Sequence, residues 1–140
     1  MLKHLFEKSS IPNRVVILGS AGFVGAACHR RLDTLGVSVL PIPRTELDLT
    51  NPEAGDLLAH ILRTEDSLLF VSAKAPVKTE SMLIDNLQMA SAVSHALKKS
   101  PVQHLVYISS DALYADSDNP LNENSFAQPG SLHGVMHLAR

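Results

Sequence analysis

The sequence has little of what marks several large classes of protein. A single cysteine, Cys28, excludes an internal disulfide. No apolar run approaches the length of a membrane span, and residues 1–8 hold no apolar core of signal-peptide length. Twelve basic and fourteen acidic side chains give a net charge of −2, without a dense basic block. We therefore expect a cytoplasmic protein that binds neither nucleic acid nor a membrane.

What the sequence does contain is enough apolar material for one domain. Hydrophobic residues make up 45% of the chain, which suffices for one globular core. A length of 140 residues is too short for two domains. Cys28 falls on the apolar face of the first predicted helix. We interpret it as a small buried packing residue without chemistry.

Glycines cluster where the first apolar run, residues 14–18, ends. Residues 19–25 read Gly-Ser-Ala-Gly-Phe-Val-Gly and lead into a helical pattern. Glycine permits tight turns with positive φ and leaves no Cβ to obstruct a pyrophosphate, which would lie at the positive end of the helix. This G-x-x-G-x-x-G spacing predicts dinucleotide binding by analogy with G-x-G-x-x-G. The alternative is an ordinary strand-to-helix turn whose glycines serve close packing.

Predicted strands and helices alternate along the rest of the chain. We predict strands at 14–18, 37–42, 67–72 and 102–109, and helices at 23–35, 50–63 and 79–99. The third and fourth strands are continuously apolar and are expected to be buried. A polar stretch at 115–130 predicts a loop, and a last helical pattern reaches Arg140.

Three such crossovers predict an α/β fold with a Rossmann-like, doubly wound parallel sheet. A domain of this type normally has six strands, whereas this sequence supplies four and has no helix stop signal before Arg140. We therefore interpret residues 1–140 as a partial NAD(P)-binding domain. It is expected to be truncated after the fourth strand and its following helix, without a substrate-binding C-terminal part.

Several motifs, in order along the chain, together resemble the extended short-chain dehydrogenase/reductase family. They are Gly19-x-x-Gly22-Phe23-Val24-Gly25, Asp48-Leu49-Thr50, Asn86, and Ile108-Ser109-Ser110-Asp111-Ala112-Leu113-Tyr114. The family comprises NAD(P)-dependent nucleotide-sugar epimerases, dehydratases and reductases. The resemblance covers residues 13–140 and implies hydride transfer on a nucleotide-sugar or similar small-molecule substrate.

The resemblance also implies cofactor contacts for the glycine turn. Gly19, Gly22 and Gly25 would line the pyrophosphate of NAD or NADP. Phe23 and Val24 would present their backbone N–H groups to it at the start of the helix.

Further cofactor contacts are implied for the segments after the second and third strands. Asp48 resembles the acid that contacts the adenine ring, with a solvated loop carboxylate as the alternative. Ala73, Lys74 and Ala75 occupy the turn that passes the ribose, although Lys74 is an unusual charge there and is equally interpreted as a surface residue. Because the second strand lacks an acid for a ribose 2′-hydroxyl and Arg44 suits a 2′-phosphate, NADP is slightly favoured over NAD. The alternative for Arg44 is an arginine that is merely exposed.

Chemistry in the family requires a tyrosine, a lysine four residues later, and a nearby serine or threonine. Ser110 matches the serine, with capping of the following turn as its alternative role. In residues 129–134, however, His133 occupies the place of the tyrosine, and His137 that of the lysine. Imidazole is an acid or base near neutral pH, and residues four apart share a helix face, so these histidines are the candidate proton-transfer pair. The alternatives are two histidines without a special duty, or a metal site that lacks a third ligand.

Two functions follow from these observations. The first is an NAD(P)-dependent epimerase/dehydratase or reductase, in which Ser110 and His133 handle the substrate proton. The second is a non-catalytic dinucleotide-binding sensor or interaction module that has lost the tyrosine and lysine. A homodimer that covers exposed apolar surface is a weaker, separate expectation.

Overall fold

A computed structural model describes residues 10–140, whose strands form one parallel sheet. The strands are β1 (Arg14–Leu18), β2 (Val39–Ile42), β3 (Asp66–Phe70) and β4 (His104–Tyr107). The helices are α1 (Phe23–Thr34), α2 (Ala54–Ile61), α3 (Glu80–Lys99) and α4 (Leu132–Ala139), and a 3₁₀ turn spans Asp111–Leu113. The strand order is β2-β1-β3-β4. The predicted Rossmann-like α/β fold is thereby confirmed.

Helices lie on both faces of the sheet, as parallel crossovers require. On one face, side chains such as Leu18 and Leu68 form the larger core with α2 and α3. On the other face, Val15 and Ile17 form a smaller core, against which the partly buried Cys28 of α1 packs. Within residues 10–140, no helix has the length and apolar character needed to cross a membrane. Residues 1–8, in which the sequence predicts no signal peptide, lie outside the described residues.

The ends of several elements differ from the prediction. β2 and β3 are shorter than the predicted strands at 37–42 and 67–72, although β3 begins one residue earlier, at Asp66. α2 begins at Ala54, later than the predicted start at residue 50. In the turn before α2, the Asn51 side chain accepts a hydrogen bond from the Glu53 amide at 3.0 Å.

The expectation of a buried fourth strand is wrong. Leu105 and Val106 are 43% and 40% exposed. β4 pairs only with β3, so within the described residues its outer edge has no neighbouring strand to help cover its side chains.

A buried ion pair joins β1 to β3 at their first residues, which are partners in the register. Arg14 donates to the fully buried Asp66 twice, from Nε to Oδ1 at 2.7 Å and from Nη2 to Oδ2 at 2.6 Å. The Arg63 amide donates to the same carboxylate at 2.8 Å. Burial by itself raises the pKa of Asp66, but the hydrogen bonds from Arg14 and the Arg63 amide outweigh it and hold the pKa below its ordinary value.

Replacing Asp66 with alanine is expected to lower the free energy of unfolding by about 3 kcal/mol, because Arg14 would remain largely buried without a counter-charge. Urea denaturation followed by circular dichroism measures this loss. Asp56→Ala is the matched control, since Asp56 pairs with Lys99 and His95 on the surface, where ion pairs contribute little. Equal losses in the two variants would contradict the role of the buried pair.

Candidate functional site

The strand order reverses between β1 and β3, and the chain leaves the sheet there in two adjacent loops. The amide of Gly19, after β1, donates to the Ile42 carbonyl at 3.0 Å. The amide of Ser72, after β3, donates to the Leu18 carbonyl at 3.0 Å. In open parallel sheets, ligands bind in the crevice at this reversal.

The three glycines of the turn meet different constraints. Gly19 has φ of +89°, and a Cβ on it would lie 2.9 Å from the Ser72 nitrogen. A Cβ on Gly25 would lie 2.3 Å from the Gly19 carbonyl oxygen, so α1 packs directly on the turn. A Cβ on Gly22 would meet only that oxygen, at 3.4 Å. Gly19 and Gly25 therefore serve close packing, whereas Gly22 leaves space beside the turn open.

The first turn of α1 presents backbone amides without competing groups. Gly22 is the N-cap and makes no side-chain hydrogen bond to the helix, and the first turn carries no acidic side chain. Phe23 is 92% exposed, so the helix start is not covered by the rest of the described chain. Free amides and the helix dipole together favour an anion at this position.

A cavity of about 470 Å³ lies beside the turn. Its walls come from the glycine turn, the segment after β2, the segment after β3, and one residue of α3. They comprise Gly19, Ala21, Gly22, Phe23, Val24, Arg44, Leu47, Asp48, Leu49, Val71, Ser72, Ala73, Lys74, Ala75 and Met89. The structure thus brings together every residue expected at the cofactor site except Gly25, which is buried against the Gly19 carbonyl.

Arg44 and Asp48 form an ion pair on the cavity wall. Thr50 donates to Asp48 Oδ1 from its hydroxyl at 2.7 Å and from its amide at 3.0 Å. Arg44 donates to Oδ2 from Nε at 3.0 Å and from Nη2 at 2.9 Å. The bonds from Thr50, and then those from Arg44, lower the pKa of Asp48 to about 2. Asp48 is therefore a fixed anion that orients the Arg44 guanidinium.

Asn86, fully buried on α3, holds the loop after β3. Its side chain accepts from the Lys74 amide at 3.1 Å and donates to the Lys74 carbonyl at 3.0 Å. It also donates to the Met82 carbonyl of its own helix at 2.8 Å. The Lys74 ammonium pairs with Asp85 of α3. Lys74 is thus tied to α3 through both its backbone and its side chain, and is not simply a solvated surface residue.

The rings of His133 and His137 meet on α4, as their spacing predicts, with centroids 4.7 Å apart. His133 Nδ1 accepts from the Val77 amide at 3.4 Å. His137 Nδ1 lies 2.6 Å from the Tyr107 hydroxyl. Burial, followed by the proximity of His133 and Arg140, lowers the pKa of His137.

Ser110 has the contacts of a capping residue. Its hydroxyl accepts from the Ala112 amide at 3.2 Å and donates to the Asp111 carboxylate at 3.1 Å. A Cβ on Gly134 would lie 2.0 Å from the Ala112 carbonyl, so the start of α4 packs against the turn that Ser110 caps. Between residues 10 and 140, no hydrogen bond joins Ser110 to His133 or His137.

Two residues beside the histidines, Tyr107 and Arg140, are absent from the predicted site. Arg140 donates from Nη2 to the Ser72 carbonyl at 2.7 Å and from Nη1 to Asn86 Oδ1 at 3.2 Å. Its guanidinium carbon lies 4.3 Å from the ring centroid of Phe70 and 5.1 Å from that of Tyr107. No spacing in the sequence links a strand tyrosine to an arginine after a later helix, so only the tertiary structure reveals this cluster.

The fold and the site define a parallel α/β domain with a glycine-rich turn at its strand-order reversal. The NAD dependent epimerase/dehydratase family matches residues 15–140, and the chain belongs to this family. Over 121 residues it is 31% identical to a protein of Oryza sativa subsp. japonica named "Putative GDP-L-fucose synthase 2". That match covers 80% of this chain and 35% of the relative.

Solved structures share the fold at lower identity. UDP-N-acetylglucosamine 4-epimerase from Bacillus cereus superposes with a TM-score of 0.78 at 21% identity, over 90% of this chain and 47% of that one. GDP-mannoheptose C4 reductase from Campylobacter jejuni, with NADP bound, gives 0.77 at 22% identity, over 94% and 43%. The chain therefore spans less than half the length of these proteins.

Gly25→Ala is expected to lower the free energy of unfolding by about 1–3 kcal/mol, because the added methyl group overlaps the Gly19 carbonyl and α1 must shift. Gly22→Ala, three residues earlier in the same turn, is the control and is expected to change stability much less. Urea denaturation of both variants measures the difference. Equal stability of the two would contradict the packing assigned to Gly25.

Proposed function

We propose that the chain binds a nicotinamide dinucleotide in the 470 Å³ cavity, with its pyrophosphate beside Gly22 and the amides of Phe23 and Val24. The observation that carries this proposal is the open space at Gly22, between two glycines that are closely packed. A pyrophosphate fits such a place because free helix amides face it and no Cβ intrudes. The cofactor would supply the hydride, while this chain binds and orients it.

Support for the cofactor class comes also from the relatives. The Campylobacter jejuni reductase of the same fold contains NADP. Two proteins of the same fold are named for sugars linked to UDP or GDP. We accordingly propose that, in a polypeptide of the relatives' length, this domain serves hydride transfer on a nucleotide-sugar. Ser110 and His133 are the proposed contacts to the reacting oxygen.

A second candidate is a module that binds the dinucleotide without turning over a substrate. It is favoured by the contacts of the histidines, since Nδ1 of His133 and Nδ1 of His137 are both already hydrogen-bonded. Turnover separates the candidates: reduced cofactor is mixed with UDP- and GDP-linked keto sugars, and the near-ultraviolet absorbance of the nicotinamide is followed. Consumption by the unchanged chain would contradict the module. Consumption only after combined His133→Tyr and His137→Lys substitution would support it.

Arg44 is the proposed contact for a ribose 2′-phosphate, and Asp48 lies where the adenine ring is proposed to rest. The Arg44 side chain is 62% exposed at the cavity wall, although Asp48 fixes its direction. A guanidinium held in this way suits a phosphate dianion, and NADP is therefore favoured over NAD. Lys74 and its neighbours Ala73 and Ala75 are proposed to border the nicotinamide ribose.

Titration calorimetry with NAD, NADH, NADP and NADPH is expected to detect binding, tighter for the phosphorylated pair. Gly22→Ala is expected to weaken it roughly tenfold or more, because the methyl group occupies the pyrophosphate space. Gly130→Ala is the matched control, since a Cβ there meets nothing within 4 Å and Gly130 is not in the cavity wall. A folded chain that binds none of the four would overturn the proposed function.

Arg44→Gln is expected to lower the ratio of NADPH affinity to NADH affinity roughly tenfold, because a charge-assisted hydrogen bond to the 2′-phosphate is lost. Asp48→Asn is expected to reduce the same preference less, by releasing the Arg44 guanidinium. Arg30→Gln, an exposed position outside the cavity wall, is the control. Calorimetry with both cofactors measures the ratio, and an unchanged ratio in Arg44→Gln would show that Arg44 does not contact the 2′-phosphate.

A further inference from the structure

A backbone amide shows that Nδ1 of His133 is a hydrogen-bond acceptor. The Val77 amide donates to it at 3.4 Å. A backbone N–H can only donate, so this nitrogen carries a lone pair in the hydrogen-bonded state. The hydrogen of the neutral ring therefore lies on Nε2.

The Tyr107 hydroxyl imposes the same arrangement on His137. Its oxygen lies 2.6 Å from Nδ1, the one acceptor among the described residues with which the hydroxyl forms a hydrogen bond. The described residues give the hydroxyl hydrogen no other acceptor, so we take the phenol as the donor of this hydrogen bond. Nδ1 of His137 then accepts, and its ring hydrogen also lies on Nε2.

Arg140 supplies a positive charge beside these rings. The hydrogen bond from its Nη2 to the Ser72 carbonyl at 2.7 Å anchors the guanidinium, which also lies against the Tyr107 ring. Burial is the largest influence that lowers the pKa of His137, and the fixed cation of Arg140 acts in the same direction.

Acidic groups on the elements that pack against α4 are engaged elsewhere. Asp85 of α3 pairs with Lys74, and Asp111 of the 3₁₀ turn accepts from Ser110. Among the described residues, neither carboxylate forms an ion pair with His137. The charge state of His137 therefore depends on its burial and on the neighbouring cation of Arg140.

We propose that His133 and His137 are locked as two neutral imidazoles, each protonated on Nε2. Tyr107 and Arg140 are the positioning residues of this pair: the hydroxyl fixes the tautomer of His137, and the guanidinium adds to the burial that disfavours its charge. The inference deepens the proposed function and rests on it for its place in a cofactor site. It also makes Arg140 the cation beside the two histidines, since His137 is uncharged.

The lock determines what the pair can do chemically. Because Nε2 already carries a hydrogen, either ring can take up a proton only at Nδ1. Uptake at His133 would turn an N–H toward the Val77 amide, which can only donate. Uptake at His137 would require the Tyr107 hydroxyl to give up its hydrogen bond to Nδ1 and to accept one instead. Loss of the Nε2 hydrogen would create an imidazolate. The pair therefore offers hydrogen-bond donors that polarise a substrate oxygen, in contrast to a tyrosine–lysine pair that exchanges its proton.

Nitrogen NMR of the isotopically labelled 140-residue chain tests the lock, because the shifts of the imidazole nitrogens distinguish the two tautomers from the cation. Both histidines are expected to carry the hydrogen on Nε2 at neutral pH. His137 is expected to titrate below the ordinary pKa of 6.5. A hydrogen on Nδ1 of either ring, or titration of His137 at or above that value, would overturn the proposal.

Substitutions test the positioning residues. Tyr107→Phe keeps the ring and is expected to give His137 a mixture of tautomers. Arg140→Gln is expected to raise the pKa of His137, and Arg140→Lys, which retains the charge, to restore most of the lowering. The exposed His104 is the internal reference. If the substitutions change stability but leave the tautomer and the titration of His137 unchanged, Tyr107 and Arg140 have only a structural role. That result would contradict the positioning roles. If a variant does not fold, the unchanged chain still decides the lock.

These spectra are recorded without cofactor, so the two proposals fail separately. The wrong tautomer in a chain that binds a dinucleotide contradicts the lock alone. The expected spectra in a folded chain that binds none of the four dinucleotides contradict the proposed function alone.

Discussion

The approach of α1 to the carbonyl of Gly19 determines where the rest of the candidate site lies. The Gly22 amide donates to the Gly19 carbonyl at 3.1 Å. The same carbonyl oxygen occupies the space that a Cβ on Gly25 would need. This contact directs the helix start, and with it the free amides, toward the carboxyl ends of β1 and β3. The Arg14–Asp66 pair secures the opposite ends of the same strands. The cavity is thus framed by backbone geometry more than by any one side chain.

A second cluster, on the α3 side of the sheet, is organised around a cation. Arg140 lies against the aromatic rings of Phe70 and Tyr107, and its Nε is a buried nitrogen that finds no partner within residues 10–140. Burial lowers the pKa of Arg140, a sign that its charge is held at an electrostatic cost. Contacts of the ring faces with the cation, and two hydrogen bonds to oxygen atoms of Ser72 and Asn86, offset part of that cost. The cluster links α4 to the loop after β3, which borders the cavity.

Local patterns predict much of this fold because they report local physics. The glycine turn, the alternation of strands with helices, and the meeting of His133 with His137 all follow from spacing of a few residues. Burial of β4 does not follow, because Leu105 and Val106 have the same apolar pattern as a central strand and only the number of neighbouring strands decides their exposure. Tyr107 and Arg140 lie 33 positions apart in sequence and meet through packing of α4 on the sheet, so no pattern announces them.

The cradle and the chemistry of this domain depend on different kinds of interaction. The candidate anion site at the glycine turn consists of backbone amides, a residue with positive φ and positions without a Cβ. Most side-chain substitutions would therefore leave it unchanged. In the family pattern that the sequence resembles, proton exchange would depend on a tyrosine and a lysine at positions 133 and 137, where this chain has two histidines. A domain can therefore retain dinucleotide binding while its acid–base chemistry changes. In this chain the contacts from Val77 and Tyr107 occupy the basic nitrogens, which leaves two N–H donors beside a fixed guanidinium. Under the proposed lock, that arrangement would stabilise negative charge on an oxygen without exchanging a proton.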